Sequence, residues 1–164
     1  EIASCLVGSE MCIRDSISIK QVEDTFKVNI ISMFETVKAA EQHLEPGSAI
    51  VMTSSVNNFD PSPAMMDYAA TNGAVGNLTV SLSKYFSEKG VRVNGVAPGP
   101  IWTPLQMDNG QPEGKIPEFG QATPLGRAGQ PVELAPTYVL LASDEGSYIT
   151  GQIFGITGGM PTDL

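Results

Sequence analysis

Stretches with helical spacing alternate along this chain with short, unbroken apolar runs, and few folds accept that pattern. Val22, Phe26, Ile30, Met33, Val37, Ala40 and Leu44 recur at three- and four-residue intervals. They predict one long helix over residues 22–44, stopped by Glu45, Pro46 and Gly47. The next run, AIVMT at 49–53, is the pattern of a strand buried on both faces. A loop with Asp60, Pro61 and Pro63 follows. Val75, Leu78, Leu82 and Phe86 then share one side of a helix predicted over 68–89, with Gly90 as its stop. A second strand is predicted over 91–97. Residues 98–129 are rich in glycine and proline and show little periodicity. A stretch of that length inside a compact domain is usually functional. Residues 130–143 return to helix, with Pro131 near the start, and residues 152–157 read as a last strand. The order α-β-α-β-loop-α-β implies parallel strands with covering helices, a doubly wound α/β sheet.

Composition narrows the possible functions. The chain has 164 residues, which suits one domain. Nine basic residues face eighteen acidic ones, a net charge of −9, so the basic face of a nucleic-acid binder is not expected. No apolar run approaches the ~18 residues that span a bilayer, and no membrane partner is expected. Residues 1–16, EIASCLVGSEMCIRDS, have neither the basic start nor the apolar core of a signal peptide. The string LVGSEMCIRD looks like a translated sequencing adaptor. Residues 1–16 are therefore expected to be foreign, and residues 17–164 to be the C-terminal part of a single domain. Both cysteines, Cys5 and Cys12, fall in the suspect stretch. Beyond it no disulfide framework or thiolate metal site is expected, and cytoplasm is the default location.

Ligands of open parallel sheets bind beyond the carboxyl ends of the strands. Thr53, Ser54 and Ser55 close the first strand, Tyr68 opens the next helix, and PGPIWT at 98–103 follows the second strand. A serine and a tyrosine facing one crevice could bind and protonate a carbonyl oxygen. A tyrosine hydroxyl ionises near pH ~10, so that role calls for a neighbouring group that eases its ionisation. Taken singly, each residue has a plainer explanation. Ser54 and Ser55 would be loop serines, Tyr68 a packing aromatic, Asn72 a helix-surface asparagine, and His43 a partner of its helix's C-terminal dipole. Met65 and Met66 would be packing or a pocket wall. The joint order of the residues favours the sharper reading.

Ser55, twelve intervening residues and then Tyr68 in YAATNGAVGN resemble the active-site signature of the short-chain dehydrogenase/reductases. FKVNI at 26–30, VRVNGVAPGPIWT at 91–103, TPLGRAGQPVELA and SYITGQIFGITGG are similar to further hallmarks of that family. The loop TSSVNNFDPSPAMMDYA most resembles a bacterial subgroup named for glucose dehydrogenases, general stress proteins or aldehyde reductases. The resemblance runs from about residue 21 to 159. It implies a partial Rossmann-like sheet, the C-terminal half of the fold with its Gly-rich first half missing. It also implies an oxidoreductase that uses NAD or NADP and a small carbonyl or alcohol substrate, assembled as a homodimer or homotetramer. By the same resemblance Tyr68 is the general acid/base, Ser55 orients the substrate oxygen, and Asn29 holds the water of a proton relay through its helix backbone. Tyr68, Pro98, Gly99, Ile101 and Thr103 line the cofactor.

Two departures stand out. The family places a lysine four residues after the tyrosine, where this chain has Asn72. A positive charge ~4 Å away at an effective dielectric of ~20 is worth roughly 4 kcal/mol, and neutral Asn72 supplies none, although it could still hydrogen-bond a ribose. No G-x-G-x-x-G turn occurs anywhere in the chain, which leaves the adenine half of a dinucleotide without a seat. The chain as written is thus expected neither to fold stably nor to turn over substrate, with its first strand unpaired along one edge. Three functional readings follow: an oxidoreductase represented by its C-terminal part, a non-catalytic pseudoenzyme or cofactor sensor, and a truncated reading frame without function.

Overall fold

The computed structural model describes residues 17–106 and 113–162; the suspect residues 1–16 lie outside the described residues. Helix α1 (Ile19–Phe26) starts where the Ser18 hydroxyl accepts the Gln21 N–H at 3.1 Å. A single π turn, Lys27–Ile31, joins it to α2 (Ser32–Ala40), and a 3-10 turn, Glu41–His43, ends the run. The predicted long helix thus exists, over 19–43, but with one widened turn at its centre. Strand β1 (Ala49–Thr53) lies where the apolar run places it. Helix α3 (Met66–Ser87) begins two residues before Tyr68, because a 3-10 turn, Pro63–Met65, leads into it. Gly90, at φ +70°, stops it. The Gly90 N–H donates to Ser87 O at 3.0 Å and the Val91 N–H to Phe86 O at 3.2 Å, the paired C-terminal bonds that favour glycine at that position.

Strand β2 (Arg92–Pro98), helix α4 (Pro131–Ala142) and strand β3 (Ile153–Ile156) complete the regular elements. The sheet has the order β1-β2-β3 and both pairs are parallel. Ile50 faces Val93 and Met52 faces Gly95 across the first pair. The chain is an α/β protein with a doubly wound parallel sheet, as the alternation implied. Among the described residues β1 pairs only with β2, so its outer edge is open.

Met52, Val75, Leu78, Phe86, Val91 and Val93 form the core between the sheet and α3. Ile30, Met33, Val37 and Leu44 from the first helical run pack against them, as their spacing foretold. Removing a side chain such as Phe86 from water contributes roughly 1.5–3 kcal/mol. On the opposite face the Arg92 guanidinium donates to the carbonyls of Leu141 and Ser143 at 2.8 and 3.0 Å. It thereby satisfies the carboxyl end of α4. Buried Asn94 donates to Ile149 O at 2.7 Å and accepts the Gln152 N–H at 3.1 Å, which fixes the entry to β3. The parallel strands bring Thr53, Pro98 and Ile156 to one edge of the sheet.

The segment after β2 is less irregular than its sequence suggests. Pro104–Gln106 and Glu113–Glu118 are 3-10 turns. Ile101 also forms a parallel bridge with Gly129.

Candidate functional site

Ser54 extends the β1 ladder, with its N–H donating to Val96 O at 2.8 Å. Its hydroxyl donates to the Asn72 carbonyl at 3.1 Å, so the end of β1 is clasped to α3. Ser55, also buried, opens the 3-10 turn Val56–Asn58, and its Oγ accepts the Asn57 N–H at 3.2 Å. The Asn57 side chain donates to the same Oγ at 3.4 Å and accepts the Ser62 N–H at 2.9 Å.

Tyr68 occupies the first turn of α3 and is 37% exposed. Among the described residues its hydroxyl has no hydrogen-bond partner. Its carbonyl, by contrast, is doubly held, by the Thr71 hydroxyl at 2.7 Å and Asn72 Nδ2 at 2.9 Å. Thr71 Oγ1 accepts in turn from Asn29 Nδ2 at 3.0 Å. Asn29 lies in the π turn, a feature that recurs at functional sites. Beside Tyr68, the Asp67 carboxylate takes the Thr25 hydroxyl at 2.8 Å and Gln21 Nε2 at 3.2 Å. Burial favours its neutral form, but these hydrogen bonds outweigh that and hold its pKa below the usual carboxylate value.

Asn72 corrects the expectation of a surface asparagine: it is 5% exposed. Nδ2 is turned back to the Tyr68 carbonyl, and Oδ1 has no partner among the described residues. Since no buried side-chain polar atom is left unpaired there, Oδ1 reaches solvent. The position offers an acceptor and no charge.

The segment after β2 stands at the end of the neighbouring strand. The Gly99 N–H donates to Ile156 O at 2.9 Å, and a Cβ at Gly99 would lie 2.8 Å from the Thr157 backbone. Only glycine allows that approach. Gly129 donates to Pro100 O at 2.9 Å and accepts from the Trp102 N–H at 2.8 Å. This pairing leaves the Ile101 N–H on the other side, without a partner among the described residues. The Trp102 ring rests 6.0 Å from that of Phe119. Thr103 accepts the Gln106 N–H through its carbonyl at 3.1 Å. Behind the segment, the Arg127 guanidinium grips Glu133 through two bonds of 2.8 Å. That grip, with the Gln130 N–H, lowers the Glu133 pKa to about 2.

Asn29, Tyr68 and Asn72 thus share one hydrogen-bonded network, to which Ser54 is clasped. Ser55 adjoins it, while Pro98, Gly99, Ile101 and Thr103 line the next strand end without bonding to it. Sequence reasoning missed Thr71 and Asn57. Asn57 carried a faint signal, two residues after a serine that can accept its N–H; Thr71 carried none.

A family model described as enoyl-(acyl carrier protein) reductase, of the short-chain dehydrogenase/reductase type, matches residues 10–161. Uncharacterized oxidoreductase YhxD of Bacillus subtilis is 49% identical over 99% of this chain and 56% of its own length. The chloroplastic NADPH-dependent aldehyde reductase 1 of Arabidopsis thaliana is 45% identical over 88% of this chain and 50% of its own. An NADPH-bound short chain oxidoreductase from Pseudomonas aeruginosa, described as containing an atypical catalytic center, superposes with a TM-score of 0.78 at 28% identity. That match covers 90% of this chain and 60% of the other. The chain spans about half the length of the curated relatives it matches.

Proposed function

The chain belongs to the short-chain dehydrogenase/reductase family, and we propose that it serves the exchange of a hydride between NAD or NADP and a carbonyl or alcohol carbon. The observation that carries this reading is the Tyr68 hydroxyl. It is unpaired among the described residues, on a side chain whose residue is 37% exposed and in a helix turn whose carbonyl is tied through Thr71 to the π turn of Asn29. A side chain left free on a fixed backbone is suited to give and take a proton.

The residues present fit the nicotinamide end of such a cofactor. Gly99 lets the backbone run close against β3, and the Ile101 N–H is available as a donor. Pro98, Gly99, Ile101, Thr103 and Tyr68 would hold that end. When bound, the reduced cofactor supplies the hydride that forms the new C–H bond. Tyr68 gives its proton to the oxygen that leaves as alcohol, and solvent returns it. Ser55 donates a hydrogen bond to that oxygen and orients it. Asn29 would hold the water of a proton relay to Tyr68 through the backbone of its π turn. The groove lined by Asn57, Pro61, Ser62, Pro63 and Met66 would take the body of the substrate.

The test is NADPH and NADH oxidation with a panel of aldehydes and ketones. Tyr68→Phe is expected to lower kcat by about 10²-fold or more with cofactor binding retained. Unchanged turnover in Tyr68→Phe sinks the assignment. A second reading rests on neutral Asn72: a pseudoenzyme or sensor that binds cofactor without turnover. The Pseudomonas aeruginosa protein with its atypical center shows that NADPH binding and a departed catalytic center occur together on this fold. Fluorescence titration with NADPH beside the turnover assay separates them: binding without turnover favours the pseudoenzyme or sensor, and a chain that binds no cofactor favours a truncated frame. We extend the proposal to a homodimer or homotetramer, supported by Val28, Ile31 and Phe34, apolar and exposed on one helical run.

A further inference from the structure

We infer that Asn57 is a positioning residue, which holds the Ser55 oxygen by donation so that the Ser55 hydrogen is left to face the substrate. The inference rests on the oxidoreductase reading above for its consequence, and on hydrogen-bond geometry for its content. A serine hydroxyl has one hydrogen to give and two lone pairs to fill. Two donors reach Ser55 Oγ, the Asn57 backbone N–H at 3.2 Å and Asn57 Nδ2 at 3.4 Å. Neither can accept, so Ser55 meets both as an acceptor. Its hydrogen has no other partner among the described residues and is left for a ligand oxygen.

The orientation of the Asn57 amide is itself determined. Oδ1 accepts the Ser62 N–H at 2.9 Å, a bond that the NH₂ end could not make. One side chain therefore spans Ser55 and the proline-bearing loop of Pro61 and Pro63, in the wall of the groove beside the site. A substrate oxygen needs donors, above all when negative charge grows on it during reduction. With Asn57 supplying the serine oxygen, the serine supplies such a donor without first breaking a bond of its own.

Asn57→Asp isolates the point. An aspartate keeps the size of the side chain and an oxygen for the Ser62 N–H. It replaces the Nδ2 donor with an acceptor, which draws the Ser55 hydrogen inward. In the full chain, with NADPH and butanal as probe, Asn57→Asp is expected to lower kcat about 10- to 100-fold while KM for NADPH stays unchanged. Ser55→Ala added to Asn57→Asp should cost little more, because the two residues act as a unit. A kcat within about twofold of the parent, or losses that multiply in the double variant, overturns the inference.

A second measurement is independent of turnover. In ¹⁵N-resolved NMR spectra, Ser55→Ala should shift the Asn57 backbone and side-chain N–H signals and speed their exchange with solvent. Unmoved signals overturn the inference. A parent protein that reduces no carbonyl yet gives these shifts sinks the oxidoreductase reading and supports the Asn57 contact.

Discussion

At position 72 the side chain folds back along its own helix, with Nδ2 2.9 Å from the Tyr68 carbonyl. The backbone carbonyl of the same residue receives the Ser54 hydroxyl, a bond that survives any change of side chain. Asn72→Lys therefore alters charge near Tyr68 and leaves the clasp to β1 intact. The longer side chain must leave a site that is 5% exposed and follow Oδ1 toward solvent, where its charge is not stranded. Asn72→Lys is expected to raise kcat for carbonyl reduction by about tenfold or more at pH 7 and to move the alkaline limb of its pH–rate profile to lower pH. A variant with the parent's rate and profile would show that this site does without the cation. The proposed pairing of Ser55 with Tyr68 could be read from residue type and order alone. Asn57 and Thr71 could not, because a polar residue acquires its role from the partner that folding brings to it.

The first helical run shows the same division at the level of elements. Intervals of three and four residues predict its core face, and Ile30, Met33, Val37 and Leu44 do pack on the core. Those intervals read the same with or without one widened turn, so the π turn at Lys27–Ile31 was invisible. The face turned away from the core is not polar: Val28 is 68%, Ile31 50% and Phe34 55% exposed. Apolar side chains clustered on an exposed helix are what the proposed dimer or tetramer would cover. Phe34→Glu is expected to shift the sedimentation profile toward monomer while the circular dichroism spectrum stays unchanged. A parent that sediments as a monomer at all concentrations would rule out the proposed dimer or tetramer.

Over the whole molecule, acid should weaken the fold. Arg127, followed by the Gln130 N–H, holds the Glu133 pKa down to about 2. Lys89, followed by Tyr85, lowers that of Glu41, and the hydrogen bonds of Thr25 and Gln21 lower that of Asp67. A carboxyl whose pKa is depressed on folding contributes stability above its ordinary value, lost as pH falls through the folded one. For Glu133 the window runs from its ordinary 4.5 down to about 2. The urea midpoint should fall across that window, and less steeply in Glu133→Gln; equal slopes would remove the pair from the account. The sequence by itself determined the class of fold, the strand positions and the order of the site residues. Each of these depends on local periodicity and residue type, which are written consecutively along the chain. Only the tertiary structure decided that Asn72 is buried and turned back, that Asn29 reaches Tyr68 through Thr71, and that Asn57 holds Ser55. Asn29 and Thr71 are 42 residues apart, and such a contact exists only once the packed core has fixed two helices against one sheet. Asn57 and Asn72 lie close in sequence to their partners, but their side chains could have bonded water instead. Which alternative wins is settled by burial, a property of the assembled fold.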